Sequence, residues 1–283
     1  MADSGLMKTI KEIEGFRDGI IHYQRLNEVA DYIADRFQGL SFVVEEDRFD
    51  YRGKEYRNII ATKSGIKRTE KYLVVGAHYD AVEGSPGADD NASGVAVMLE
   101  VAETLGSQDG LMFVGFTLEE PQKNSLEFLI GSKHFVREMN RLGVSFSGAF
   151  ILESIGYISE GEGSQLLPPF VNAPTTGDFI GLVGNGRARF MMDAFREASK
   201  SVAPALKVVT YTSRLRGYLI PETRFSDHAP FWDAGYPAVM ITDTAMFRNP
   251  YYHTEDDRSE HLDEGFMTDL STALCETIRR LLR

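Results

Sequence analysis

The chain has 283 residues, 43% of them hydrophobic, which is enough for a well-formed core in one large domain or two small ones. Thirty basic against forty-two acidic side chains leave a net charge of −12, which repels phosphate backbones and argues against nucleic acid as a partner. The single cysteine, Cys275, excludes an intrachain disulfide framework, and no stretch approaches the roughly 20 apolar residues of a membrane span. The N-terminal sequence carries no apolar export segment, so a cytoplasmic location is the expectation.

In chain order, residues 7–38 read as one helix, with Ile20, Leu26, Val29, Ile33 and Phe37 at three- to four-residue spacing. Two β-rich runs follow, SFVVEEDRFDYR and YRNIIATKSG, joined by a hairpin turn at Arg52-Gly53-Lys54, and these predict an antiparallel edge. Residues 71–78 form a continuous apolar strand of the kind buried on both faces. A helix over 92–105, a strand in LMFVGFTL, a helix over 126–140 and a strand over 148–152 then alternate. That rhythm predicts a three-layer α/β/α sandwich with a mixed, mostly parallel central sheet, whose sites lie beyond the carboxyl ends of the strands. Residues 159–187 interrupt it with proline and glycine and read as a lid or pocket wall, the alternative being a plain surface excursion. The sandwich resumes with a helix over 189–201, a strand over 207–212, another in YPAVMITDT, and an amphipathic helix over 259–282 that holds Cys275. Neither a repeat nor a linker suggests a second domain.

Metal-ligand side chains cluster where these strands run into loops. In GAHYD, His78 and Asp80 point to the same side of a strand, so Asp80 can back the imidazole or simply pair with it at the surface. In GADDNASG, small residues after Asp89 and Asp90 let the backbone pass close to an ion. An N-cap for the following helix explains the same residues, and a carboxylate bridging two metals can occupy the same position. Glu119 and Glu120 repel each other unless counter-charge is present. In a metal site one binds the cation and the other takes a proton from water; otherwise they form a solvated strand end. Glu153 follows the strand GAFILE, and His253 stands in YYHTEDD. Among the other histidines, His22 and His134 fall on amphipathic helices and His261 near the last one. His228, with Asp227 in SDHAPFWDAGYP, precedes a short helix and can line the pocket.

Together, GAHYD, GADDNASG, the Glu-Glu pair, Glu153 before Ser-Ile-Gly, SDHAPF and HTEDD resemble, in order, the zinc aminopeptidase family that includes aminopeptidase Y, glutamate carboxypeptidase II and the animal glutaminyl cyclases. The resemblance spans residues 74–257. It implies a zinc-exopeptidase fold holding two zinc ions, with one ion, manganese or cobalt as alternatives. His78 and Glu153 would bind the first metal, Asp90 would bridge, and Glu120 and His253 would bind the second. Asp90 is chosen over Asp89 because the family's bridging aspartate stands four residues before the glycine of its small-residue run, here Gly94. Glu119 would be the general acid/base, Asp80 would orient His78, and Asp257 would support His253. Tyr252 or His228 would stabilise the oxyanion. Glu153 departs from the family's usual aspartate, which bears on occupancy and on the choice of metal.

The implied reaction is hydrolysis of an N-terminal peptide bond of a peptide or amino-acyl substrate by water activated between two metals about 3.5 to 4 Å apart. One alternative is single-zinc glutaminyl cyclisation through Asp90, Glu120 and His253, with His78 and Glu153 unmetallated. The cyclases tend to surround their pocket with tryptophans, whereas Trp232 is the only one here. Another is a non-catalytic binding protein on the same scaffold, against which Glu119 argues, because a structural metal site has no use for an extra base. The segment 212–226, with Arg214, Arg216 and Arg224, is expected to wall the pocket.

Overall fold

The computed structural model describes residues 5–122, 125, 127–168, 171 and 173–283. Eight strands form one sheet: β1 Val43–Tyr51, β2 Lys54–Thr62, β3 Lys71–His78, β4 Leu111–Phe116, β5 Ser145–Glu153, β6 Phe179–Asn185, β7 Lys207–Ser213 and β8 Ala238–Thr242. Their order is β1-β2-β4-β3-β5-β8-β6-β7. The pairs β3–β4, β3–β5, β5–β8 and β6–β7 are parallel, while β1–β2, β2–β4 and β6–β8 are antiparallel.

Side-chain alternation along the strands creates the two outer layers. On one face Leu73, Val75, Phe113, Phe150 and Val239 pack into a core with helices α1 Gly5–Ile13, α2 Tyr23–Gly39, α3 Gly94–Leu105, α5 Arg189–Val202 and α7 Glu264–Leu281. On the other, Val74, Met112, Val114, Phe146 and Ile151 meet α4 Ile130–Leu142 and α6 His228–Asp233 through Phe135, Phe231 and Trp232. The protein is therefore a mixed eight-stranded sheet flanked by helices. Among the described residues no helix is long and apolar enough to cross a membrane.

Three expectations need correction. The single helix over 7–38 is two, because the chain leaves helical geometry between Ile13 and Tyr23. There Gly15 has a φ of +132°, and the Asp18 carboxylate accepts the amides of Ile20 and Ile21 at 3.0 and 2.7 Å, a local side-chain turn that competes with the helix. The helix expected over 126–140 begins at Ile130; residue 126 itself lies outside the described residues.

The third concerns 159–187, whose last part is β6, paired on both sides inside the sheet. Its glycines mark close approach rather than a loop. A Cβ on Gly181 would lie 3.2 Å from the Thr242 carbonyl oxygen, and one on Gly184 2.9 Å from the Met192 sulfur. The described residues between Ser159 and Phe179 carry only an isolated bridge, Ser159 to Gly177; residues 169, 170 and 172 lie outside the described set.

Candidate metal centre

The neighbouring strands β4, β3 and β5 run parallel, so their carboxyl ends lie side by side. His78 ends β3, Glu153 ends β5, and Glu119 and Glu120 follow β4. Between β3 and α3 the chain makes an irregular turn, Ala88–Ser93, with a cis Asp90–Asn91 peptide. Asn91 ties this turn to the end of β5. Its amide nitrogen donates to the Leu152 carbonyl at 2.8 Å, and its Oδ1 accepts from Ser154 N at 3.2 Å and Gly94 N at 3.1 Å. A side chain at Gly94 would collide with Asn91, its Cβ 2.3 Å from Oδ1, which explains the small-residue run.

Two groups of candidate ligands result, His78–Asp90–Glu153 and Asp90–Glu120–His253, each with its donor atoms within 4.8 Å of one another. His78 Nε2 lies 3.2 Å from Asp90 Oδ1 and 3.4 Å from Glu153 Oε1. His253 Nε2 lies 3.1 Å from Asp90 Oδ2 and 3.3 Å from Glu120 Oε1. Asp90 is common to both. The longer arm at 153 thus reaches the cluster, and its second oxygen accepts from Ser226 Oγ at 2.6 Å. Asp89 turns away, its carboxylate accepting from Gly156 N at 2.8 Å and Asn249 Nδ2 at 2.7 Å. The donor set fits a divalent metal such as zinc, being two imidazoles and three carboxylates. Among the described residues, buried Asp90 Oδ1 and Glu120 Oε1 moreover face no donor other than the imidazoles of His78 and His253, an arrangement that is costly unless a cation or a ring proton meets them.

Glu119 belongs to neither group, although its Oε2 comes within 4.0 Å of His78 Nε2. Burial, reinforced by Glu153 and Glu120, pushes its carboxyl well above the usual range against the pull of His78. Burial and the charge of Asp90 likewise raise Glu120 to about 7, and burial raises Glu153. For His253 burial acts downward, but Glu120 and Asp90 outweigh it and lift the imidazole to about 11; His78 is raised similarly by Glu153 and Glu119. Burial pushes Asp90 upward, yet its bonds to His253 and His78 hold it far below the carboxylate range. Without a metal, the imidazoles carry the protons that balance these carboxylates.

Of the two supporting aspartates, Asp80 stands behind His78 as expected and Asp257 acts elsewhere. His78 Nδ1 lies 3.2 Å from the main-chain carbonyl oxygen of Asp80 and 3.6 Å from its carboxylate. The same carboxylate also accepts the amides of Glu119 and Glu120 at 3.1 and 3.2 Å. Asp257 does not back His253; its carboxylate accepts the amides of Asp89 and Asp90 at 2.8 and 3.1 Å. Each aspartate thus fixes the backbone of a ligand-bearing turn.

His228 is also corrected. It is fully buried, its Nε2 donates to the Thr223 carbonyl at 2.8 Å, and its ring meets Trp232 edge-on at 4.4 Å. Burial pulls its pKa down to about 3, so it stays neutral and committed to that carbonyl. The i, i+4 spacing of His228 and Trp232 on a short helix was the available signal. From the same motif, Ser226 and Asp227 face the ligands instead, and burial pushes the Asp227 carboxyl up to about 8.

Beside the cluster lies an apolar cavity of about 120 Å³. Glu153 and Tyr252 line its metal-side end, while Leu166, Val209, Phe225, Met240 and Phe247 form part of its walls. The expected wall segments therefore contribute through Leu166 and Phe225, whereas Arg224 turns to Asp233 at 2.7 Å. The Tyr252 ring stacks on His253 at 3.8 Å, and burial together with Asp90 and Glu120 raises its phenol so that it keeps its proton.

The model of peptidase family M28 matches residues 58–278, and that stretch holds every candidate ligand. The chain belongs to this family. It is 32% identical over 252 residues to the uncharacterized protein YfbL of Escherichia coli (strain K12), covering 84% of the chain and 75% of YfbL. It is 30% identical over 222 residues to aminopeptidase YwaD of Bacillus subtilis (strain 168), covering 74% of the chain but 41% of YwaD. Among solved structures, a glutaminyl cyclase of Macrostomum lignano shares the fold, with a TM-score of 0.75, 19% identity and coverage of 98% and 88%.

Proposed function

We propose that this M28 chain is a zinc-dependent aminopeptidase acting on substrates whose N-terminal side chain is bulky and apolar. What carries the reading is one juxtaposition: two ligand groups share Asp90, a further carboxylate stands beside them, and an apolar cavity opens at Glu153 and Tyr252. His78, Asp90 and Glu153 would hold one ion, and Asp90, Glu120 and His253 a second. Zinc, when bound, supplies a Lewis acid for the scissile carbonyl and lowers the pKa of water to about 7. Glu119, free of ligand duty, takes the proton from the attacking water and returns it to the leaving amine. The Tyr252 phenol keeps its proton and donates to the developing oxyanion. An apolar cavity on the order of 150 Å³ takes a benzene-sized group, so the space here suits a leucine or phenylalanine side chain.

The test is zinc per chain together with hydrolysis of Leu-, Phe-, Ala-, Glu- and Gln-anilides. Two zinc ions and chelator-sensitive release of aniline, fastest from the Leu or Phe compound, are expected. No chelator-sensitive turnover of any of them would overturn the reading in favour of a binding protein. A second reading, glutaminyl cyclisation, draws on the structural likeness to a cyclase and on the complete Asp90–Glu120–His253 group. It predicts one zinc per chain and a cyclised product from N-terminal glutamine with no amide hydrolysis. The apolar lining of the cavity favours the aminopeptidase, since a glutamine amide buried there would lose its hydrogen bonds to water.

A further inference from the structure

Arg17 lies in the break between α1 and α2, outside the strand-end cluster, and is 0% exposed. Among the described residues its guanidinium bonds to no carboxylate. Nε donates to the Tyr79 carbonyl at 2.8 Å, Nη1 to the carbonyls of Gly15 at 3.1 Å and of Pro86, and Nη2 to the Gly87 carbonyl at 2.7 Å. Tyr79 stands between His78 and Asp80, and Gly87 opens the turn that carries Asp90. One side chain therefore clamps together the two backbone segments that deliver His78 and Asp90. Asp257 grips the same turn from its amide side, and Gly15 N donates to the Pro86 carbonyl at 2.8 Å. Gly87 leaves no room for an alternative, because a Cβ there would lie 2.9 Å from Arg17 Nη2 and 2.4 Å from the Asp90 carbonyl oxygen.

A buried guanidinium bonded only to neutral carbonyls is expensive, so its retention asks for a reason. The neighbouring charges are Asp257, Asp80 and Asp90, and burial still pulls the arginine down to about 10. We infer that Arg17 is a positioning residue of the metal centre, holding the His78 and Asp90 segments at the separation that lets both side chains reach one ion. The task suits arginine because its planar fork presents five N–H groups in fixed directions. The ammonium of a lysine concentrates its donors at one point and cannot span Tyr79 and Gly87 together.

The sign of the effect separates positioning from charge. A buried positive charge by itself repels an incoming cation, so a purely electrostatic role makes zinc bind more tightly once the charge is removed. Positioning makes it bind more weakly. The experiment measures zinc affinity of the metal-free protein by competition with a chromophoric chelator, for wild type, Arg17→Met, Arg17→Lys and the control Phe37→Leu. Phe37→Leu alters the α2 core remote from the ligands. Circular dichroism checks that each variant is folded.

Groups that orient metal ligands typically cost about 10- to 100-fold in affinity when lost, and a loss in that range is expected for both arginine variants, with Phe37→Leu within twofold of wild type. Affinity within twofold of wild type or tighter in Arg17→Met, restoration by Arg17→Lys, an equal loss in Phe37→Leu, or failure of both arginine variants to fold would each overturn the assignment. The inference rests on the zinc reading, and the two failures are distinct. A wild type that binds no zinc overturns the metal reading and this one with it, whereas a binding wild type with unaffected variants overturns the arginine's role alone.

Discussion

His78 and Glu153 leave the ends of adjacent parallel strands and are buried, whereas His253 stands on a loop with a φ of +60° and a side chain 29% exposed. Both halves of the centre meet at Asp90, yet they are held in different ways. On the buried side, ladder hydrogen bonds and Asn91 fix the backbone, and Ser226 holds Glu153. On the open side the imidazole is presented by a turn and covered by Tyr252. The contrast teaches that strand ends preset one candidate ligand group, while the other depends on a loop that also borders the apolar cavity.

The largest effect expected belongs to neither half. Glu119→Gln keeps the shape and removes the base, so kcat should fall by about 10²- to 10⁴-fold, with zinc per chain unchanged by metal analysis. Near-normal turnover, or loss of an ion, would return Glu119 to the ligands and erase the distinction between them. Next comes the open half: Tyr252→Phe should lower kcat by about 10²- to 10³-fold, the usual loss of one oxyanion donor. A change confined to KM would make Tyr252 a cavity wall only.

Ser226→Ala addresses the buried half. Removing its bond to Glu153 should weaken one of the two zinc affinities by about 10- to 100-fold and leave the other in place, as read by stepwise chelator titration. Equal weakening of both would break the comparison.

The smallest effect is on stability against pH. Glu120, Asp227 and Asp257 are raised from ordinary carboxyl values of 4.5, 3.8 and 3.8 to about 7, 8 and 7, with burial the leading cause of each. Each therefore holds a proton in the folded chain that the unfolded chain releases. Their contribution is present at low pH and declines as pH rises from about 4 to 8. His253, raised to about 11, contributes fully below about 6.5 and loses that contribution as pH climbs through its folded value. Asp90, held low, and His228, lowered to about 3, contribute in the opposite direction; the first is complete by about pH 5 and the second by about pH 7, and they are fewer than the groups that lose stability over this range. The metal-free protein should accordingly melt at lower temperature at pH 8 than at pH 5, and zinc should flatten the slope. Melting that rises steadily across this range, without metal, would contradict the proton-balanced cluster.

The layered fold and the placing of carboxylates and imidazoles at strand ends are legible because they depend on local pattern, and their grouping is what the family resemblance implies. Apolar runs in β3, β4 and β5 announce buried strands, and their last residues announce a site at the carboxyl edge. What was misread lies where side chains act on distant backbone. Gly181 and Gly184 looked like loop residues, although they let β6 lie close to Thr242 and Met192. His228 looked like a pocket residue, yet the short helix turns it onto Trp232 and leaves Ser226 to touch Glu153. Asp80 backs His78 as expected and also holds the amides of Glu119 and Glu120, whereas Asp257 holds those of Asp89 and Asp90, because an amide offered by a turn leaves no trace in composition.

By itself, then, the sequence determined the α/β/α architecture through hydrophobic periodicity and offered carboxylates and imidazoles at the strand ends, while their assignment as metal ligands is what the family resemblance implies. Only the tertiary structure decided that an apolar cavity opens beside Glu153 and Tyr252, that Asn91 and Ser226 hold the end of β5 and Glu153, and that Arg17 reaches the turns behind His78 and Asp90. The physical reason is separation along the chain. Residues 17, 79 and 87, or 90 and 253, meet only after the sheet has closed over its core, and no local preference encodes that meeting.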